Sequence, residues 1–189
     1  QVGHERYRRR SMRRKKDLPV LSLVGYTNAG KSTLLNTLTN SDIIARDQLF
    51  ATLDPTSRRL RFPRDCEVII TDTVGFIRNL PDTLMQAFMA TLEELQEADL
   101  LVHVVDGANP DYLEQKRVVE EILAQLDLQD IPVLIVYNKM DMFEEIQREM
   151  TGENVVAVSA LDKNSLEPFL VKAERIIGKV AKGDFQGSR

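Results

Sequence analysis

The chain has 189 residues, 43% hydrophobic and 29% charged, with a net charge of −4; these are the proportions of one globular domain with a substantial core. No run approaches the ~18 apolar residues of a membrane span. The single cysteine, Cys66, excludes an internal disulfide and suits a reducing cytoplasm, and with only His4 and His103 beside it the chain offers little for zinc.

The N-terminal segment is marked by charge. Residues 1–16 hold Arg6, Arg8, Arg9, Arg10, Arg13, Arg14, Lys15 and Lys16 against Glu5, and the remainder holds 17 basic and 28 acidic residues, so a head of +7 precedes a body of −11. Clustered cations gain affinity for nucleic acid by releasing phosphate counterions. A solvated helix or a frayed terminus accounts for the same run equally well. The start at Gln1, with no signal peptide, reads as an excised piece.

From Pro19 onward, short apolar runs alternate with amphipathic segments. Residues 20–24, 68–71, 100–105, 133–136 and 155–158 are rich in β-branched residues and almost continuously apolar, the pattern of strands buried on both faces of a parallel sheet. Residues 58–62 alternate polar and apolar side chains and predict a half-exposed edge strand. Leu84, Phe88, Leu92 and Leu95 share one helical face with Pro81 near its start. Val118, Val119, Ile122, Leu123 and Leu126 form a second stripe; Leu166, Phe169, Leu170, Ala173, Ile176, Ile177 and Val180 form a third. The expected fold is therefore three-layer α/β: a doubly wound, mostly parallel six-stranded sheet with one antiparallel edge strand, binding ligands at the carboxyl ends of its strands. Residues 1–17 read as a tail, 18–182 as the domain and 183–189 as a frayed end.

Chemistry enters after the first strand, at Gly25-Tyr26-Thr27-Asn28-Ala29-Gly30-Lys31-Ser32, which fits G-x-x-x-x-G-K-[ST] between a strand and a helix. Glycines let the backbone wrap so that N–H groups face phosphate oxygens. Lys31 is expected to neutralise the β- and γ-phosphates and Ser32 to ligate Mg²⁺. Thr33 opens a helix whose positive end faces the same anion. This loop predicts a nucleoside triphosphate of unspecified base.

The base is read from Asn138-Lys139-Met140-Asp141 after the strand at 133–136. Guanine presents two donors, N1–H and its amine, and one carboxylate accepts both. Asp141 is thus the expected specificity residue, with Asn138 bracing the loop and reaching the base's acceptor edge, and Lys139 laying its stem along the base. Ser159-Ala160-Leu161 would add a backbone N–H to the guanine oxygen. Asp72-Thr73-Val74-Gly75 ends another buried strand: Asp72 would hold Mg²⁺ through water, and Gly75 would offer its N–H to the γ-phosphate, so that losing the phosphate releases the segment. A threonine between the first helix and the edge strand should complete the magnesium shell; Thr52 is preferred to Thr56, although spacing alone does not separate them.

These four motifs in this order resemble the translation-factor-related P-loop GTPases, the class of Era, Obg and TrmE-like proteins. Residues 25–35 (GYTNAGKSTLL), 47–56 (DQLFATLDPT) and 72–80 (DTVGFIRNL) are similar to the G domain of the HflX family of ribosome-associated GTPases, a resemblance running from about Pro19 to Val180. It implies a Ras-like G domain that binds GTP and GDP and hydrolyses GTP with Lys31, Thr52, Gly75 and Asn28 as catalytic candidates. It supports Thr52 as the magnesium threonine and makes residues 1–16 the tail of a preceding helical domain. It further implies a monomer that acts on the large ribosomal subunit and its rRNA, in splitting or rescue of stalled ribosomes. Phe76 stands where many GTPases carry a water-orienting glutamine; intrinsic turnover is expected to be slow. A ribosomal element or a potassium ion at Asn28, a position resembling the potassium-binding asparagine of TrmE-like GTPases, would supply the missing charge; simple bracing of the loop by Asn28 is the plainer alternative. A nucleotide-gated binding module with incidental turnover and a TrmE-like tRNA-modification GTPase are the competing readings.

Overall fold

The computed structural model describes residues 18–39, 57–64, 66–73, 75–76, 92–143 and 150–183. The basic head, Thr52, Thr56, Pro81, Leu84, Phe88 and residues 184–189 lie outside them. Six strands form one sheet: β1 (Val20–Gly25), β2 (Ser57–Arg61), β3 (Glu67–Asp72), β4 (Leu100–Asp106), β5 (Val133–Asn138) and β6 (Val155–Ala157). Their order is β2-β3-β1-β4-β5-β6. All neighbours run parallel except β2 against β3, so the edge strand with alternating polarity is the antiparallel one. Helices α1 (Lys31–Thr39), α2 (Tyr112–Gln125) and α3 (Glu167–Lys182) pack on the two faces.

Side-chain alternation along each strand divides the core in two. Leu21, Leu23, Ile70, Val102, Val104, Leu134 and Val136 meet Leu34 and Leu38 of α1 and Phe169, Ala173, Ile176 and Ile177 of α3. On the opposite face, Val24 and Leu101 meet Val119, Ile122 and Leu123 of α2, together with Leu92, Leu95 and Phe76. The central strand β4 is buried along its first six residues, which is why it lacks alternation in the sequence. Leu95 belongs to a short 3₁₀ turn, Glu93–Glu97, at the end of the first predicted helical stripe.

The topology places the site. β1 lies between β3 and β4, so connections leave its carboxyl end in opposite directions and open a crevice there. The loops following β1, β3, β4, β5 and β6 surround that crevice. A cavity of about 210 Å³ lies elsewhere, behind the loop after β6, lined by Thr37, Lys163, Glu167 and Leu170 among others.

Candidate functional site

The loop after β1 wraps tightly because two glycines bring the backbone against its neighbours. A Cβ on Gly25 would stand 2.2 Å from Val104 O; one on Gly30, whose φ is +95°, would stand 2.2 Å from Asn138 Nδ2. Neither position accommodates a side chain. Asn28 between them adopts φ +62°, a left-handed conformation that asparagine tolerates better than most residues, and its side chain is exposed. That backbone requirement supplies a structural reason for an asparagine here.

Lys31 is 7% exposed. Its ammonium donates to Gly25 O at 3.1 Å and Tyr26 O at 3.0 Å, so the cation sits inside the curl of the loop. Burial pulls its pKa below the ordinary lysine value, partly offset by the Asp72 carboxylate; bringing anionic phosphate to this cation would favour its charged form. In α1 the first backbone N–H taken by a described residue is that of Leu34, by Gly30 O at 2.9 Å. The N–H groups of Lys31, Ser32 and Thr33 are left at the open positive end of the helix, beside the lysine, as an anion site requires.

Ser32 Oγ donates to Asp72 Oδ2 at 2.5 Å, joining the start of α1 to the end of β3. The second carboxylate oxygen, Oδ1, is buried and has no hydrogen-bond partner among the described residues. A hydroxyl and an under-used carboxylate, both hard oxygen donors, suit Mg²⁺. The residues present therefore fit the metal, which Ser32 and Asp72 would hold directly or through water; Thr52, the third predicted donor, lies outside the described residues.

Beyond Asp72 the β1–β3 ladder slips by one residue. Pairing runs from Val20↔Ile69 to Leu23↔Asp72 and resumes at Tyr26↔Phe76, with Thr73 Oγ1 donating to Leu23 O at 2.5 Å in the gap. Phe76 N–H donates to Gly25 O at 3.0 Å and Thr27 N–H to Phe76 O at 2.9 Å. In this arrangement Thr27 directs its N–H at the Gly75–Phe76 segment. The Phe76 ring is fully buried in the core beneath α2; besides lacking polar atoms, it faces away from the crevice.

The base loop is assembled from three strands. Asn138, 2% exposed, donates from Nδ2 to Ala29 O at 2.9 Å and accepts the Ala160 N–H on Oδ1 at 2.8 Å. Lys139 follows at φ +66° and ψ 34°, and a 3₁₀ turn, Met140–Met142, carries Asp141, which is exposed. After β6, Ser165 Oγ takes the Ser159 N–H at 2.9 Å, and Leu161 N–H lies 3.4 Å from Ser159 Oγ. Of the three predicted N–H donors, Ser159 and Ala160 are thus engaged within the protein, and Leu161 has the weakest internal partner.

Three contributors escaped the sequence analysis. Asp106, at the end of β4, accepts from Lys139 Nζ at 2.6 Å. Thr37 Oγ1 donates to Ala160 O at 2.6 Å. Ser165 closes the loop after β6 by donating to Ser159 O at 2.8 Å. An aspartate ending a buried apolar strand was the visible signal for the first; the two hydroxyls carry none, because a serine or threonine on a helix turn is common.

A wrapped glycine loop with a buried lysine, a serine–aspartate pair and an asparagine–aspartate base loop, all at the carboxyl ends of parallel strands, define a P-loop nucleotide-binding domain of the GTPase class. The family described as "50S ribosome-binding GTPase" matches residues 20–139. The chain is 50% identical over 171 residues to GTPase HflX of Caldanaerobacter subterraneus, covering 90% of this chain and 39% of that protein. It is 44% identical over 187 residues to GTPase HflX of Escherichia coli, covering 96% and 44%. A GTP-binding protein of Sulfolobus solfataricus solved in complex with GDP superposes with a TM-score of 0.72 at 25% identity, covering 91% of this chain and 56% of that one. The chain belongs to this GTPase family, as a G domain of the HflX type. It spans less than half the length of the curated relatives it matches.

Proposed function

We propose that this domain is the nucleotide switch of a ribosome-associated factor: it binds GTP with Mg²⁺, hydrolyses it slowly unaided, and is accelerated on the large ribosomal subunit, in the service of splitting or rescuing stalled ribosomes. The burial of Phe76 carries the kinetic half of this reading. No polar side chain at that position can align water, so unaided turnover should fall near ~10⁻⁴ to 10⁻³ s⁻¹. The matched family and the HflX relatives support the ribosomal half.

The chain's own residues divide the work. Lys31 and the open N–H groups of α1 neutralise and orient the β- and γ-phosphates. Ser32 and Asp72 hold the metal, with Thr52 the proposed third oxygen; Mg²⁺ supplies charge neutralisation on the phosphoryl oxygens. Asp141 accepts the guanine N1–H and amine, and Gly75 offers its N–H to the γ-phosphate. The direct attachment of Phe76 to Gly25 and Thr27 supports a switch, because any displacement of Gly75 by the γ-phosphate is felt in the phosphate loop itself. Potassium at Asn28 is a further part of the proposal, and its exposed side chain leaves room for a cation ligand; a rate unchanged on replacing Na⁺ by K⁺ would end it.

The deciding experiment is single-turnover GTP hydrolysis with and without large ribosomal subunits at fixed ionic strength, on this domain and on the full-length protein. Stimulation of about 10²-fold or more is expected. If neither protein is stimulated, the ribosomal reading fails. Stimulation of the full-length protein alone would assign docking to the remainder of the chain.

A further inference from the structure

Asp106 belongs to none of the nucleotide-binding motifs, yet it grips the loop that reads the base. It is the last residue of β4 and the register partner of Asn138. Its Oδ2 accepts from Lys139 Nζ at 2.6 Å and its Oδ1 accepts the Ala108 N–H at 3.1 Å, so both oxygens are used and the carboxylate is fixed in orientation. The Asp106 side chain is 13% exposed and that of Lys139 30%. The pair is less screened than a surface ion pair. The next residue, Gly107, donates its N–H to Asn138 O at 3.0 Å, giving the turn after β4 a second hold on the same loop.

The captured residue is conformationally unusual. Lys139 occupies the left-handed region, φ +66°, which lysine keeps only where its surroundings over-determine it. Its carbonyl accepts the Met142 N–H at 2.8 Å and the following Met140 N–H donates to Val158 O at 3.0 Å. The orientation of Lys139 therefore helps to set the turn carrying Asp141.

We infer that Asp106 is a positioning residue for guanine recognition, tethering the Lys139 ammonium so that the lysine stem and the Asp141 turn are ordered before nucleotide arrives. This rests on the assignment of Asn138–Asp141 to the base. A free lysine must lose several rotamers when a planar base lies against its stem; one already held by its ammonium loses fewer, and the difference appears as affinity. Phosphate recognition, centred on Lys31 and α1, does not pass through this pair.

Asp106→Asn preserves the shape and an oxygen for the Ala108 N–H while removing the charge that holds Lys139. The Kd of a fluorescent GDP should rise by about five- to tenfold, the value of one pre-ordered long side chain. The inhibition constant of magnesium tripolyphosphate, which has no base, should stay within twofold. In a Lys139→Met background the same substitution should have no further effect on GDP. An unchanged GDP affinity, an equal weakening of GDP and tripolyphosphate, or an undiminished effect in the Lys139→Met background would each overturn the inference. Asp141→Asn tests the underlying base assignment separately: if it weakens GDP binding while Asp106→Asn does not, only the role of Asp106 falls.

Discussion

The side-chain amide of Asn138, at the end of β5, donates to Ala29 O in the phosphate loop, 109 positions away in the chain, at 2.9 Å. Its carbonyl oxygen takes the Ala160 N–H at 2.8 Å, so one buried amide fastens the phosphate loop to both base loops. Truncation to alanine leaves a buried carbonyl and a buried N–H without partners, each costing about 1–3 kcal/mol. Asn138→Ala should lower the free energy of unfolding by roughly 2–4 kcal/mol and weaken GTP and GDP together. Urea denaturation and calorimetric titration check both. Intact stability with lost binding would mean that the amide acts on the base alone.

A second prediction concerns the Ser32–Asp72 pair. If the unpartnered Asp72 Oδ1 and the Ser32 hydroxyl mark the magnesium position, Ser32→Ala should remove the dependence of GTP affinity on the metal. In the parent protein, chelating Mg²⁺ is expected to weaken GTP by about tenfold or more, since the metal neutralises charge shared between phosphate oxygens. In the variant the affinities with and without chelator should converge on the lower value. A persistent gap would place the metal on other ligands.

Base selection makes a third. Asp141 is exposed at the 3₁₀ turn after Lys139, free to accept two hydrogen bonds from a base. An amide there has one acceptor and two donors. Asp141→Asn should therefore lose at least about tenfold in GDP affinity, the cost of one mismatched polar pair, and gain for xanthine nucleotides, whose second carbonyl accepts where guanine donates. Competition of GDP and xanthosine diphosphate for the same protein measures the exchange. Undiminished GDP binding would remove Asp141 from the site.

All six strands, the antiparallel edge and the phosphate loop were legible in the sequence, because burial on two faces forces continuous apolar runs and a wrapped loop forces glycine at fixed intervals. The asparagine's bracing role was legible for the same reason: N-K-x-D follows a buried strand. What stayed hidden depends on distance in the fold. Nothing in the sequence pairs Asp106 with Lys139, 33 positions on, or Thr37 with Ala160, 123 positions on. Phe76 was recognised as a missing polar group, but its second role, anchoring the Gly75 segment to the core and to Gly25, follows from the one-residue slip between β1 and β3, which leaves no trace in composition.

His103 supplies a pH dependence. It lies in β4, 1% exposed, with Nδ1 unpartnered among the described residues. Burial, reinforced by the positive charges of Lys116 and Lys31, lowers its pKa from 6.5 to about 3. The folded protein thus keeps the ring neutral across an interval in which the unfolded chain takes up a proton. The histidine is neutral in both states above about pH 6.5, so it contributes no pH dependence there; below that value it destabilises the fold progressively down to about pH 3, with a slope of up to about 1.4 kcal/mol per pH unit. Denaturant midpoints of the parent and of His103→Leu, compared between pH 6.5 and 4.5, should diverge with a flatter decline in the variant. Parallel declines would mean that carboxylates alone govern acid sensitivity.

Gly178 offers a test of helix energetics away from the nucleotide. It lies within α3, the sixteen-residue helix Glu167–Lys182, and a Cβ built on it would meet nothing within 4 Å among the described residues. With no close approach to explain it, the glycine only gives the unfolded chain extra freedom and exposes helix backbone to water. Both effects disfavour it relative to alanine by about 0.5–1 kcal/mol. Gly178→Ala should raise stability by that amount and leave GTP affinity and turnover unchanged, since none of the nucleotide-site residues named above lies on α3. Thermal denaturation of the nucleotide-free protein, with ΔΔG evaluated at Tm, reads the gain. A loss of stability would show that the position does not accept a methyl group and would overturn the expected gain.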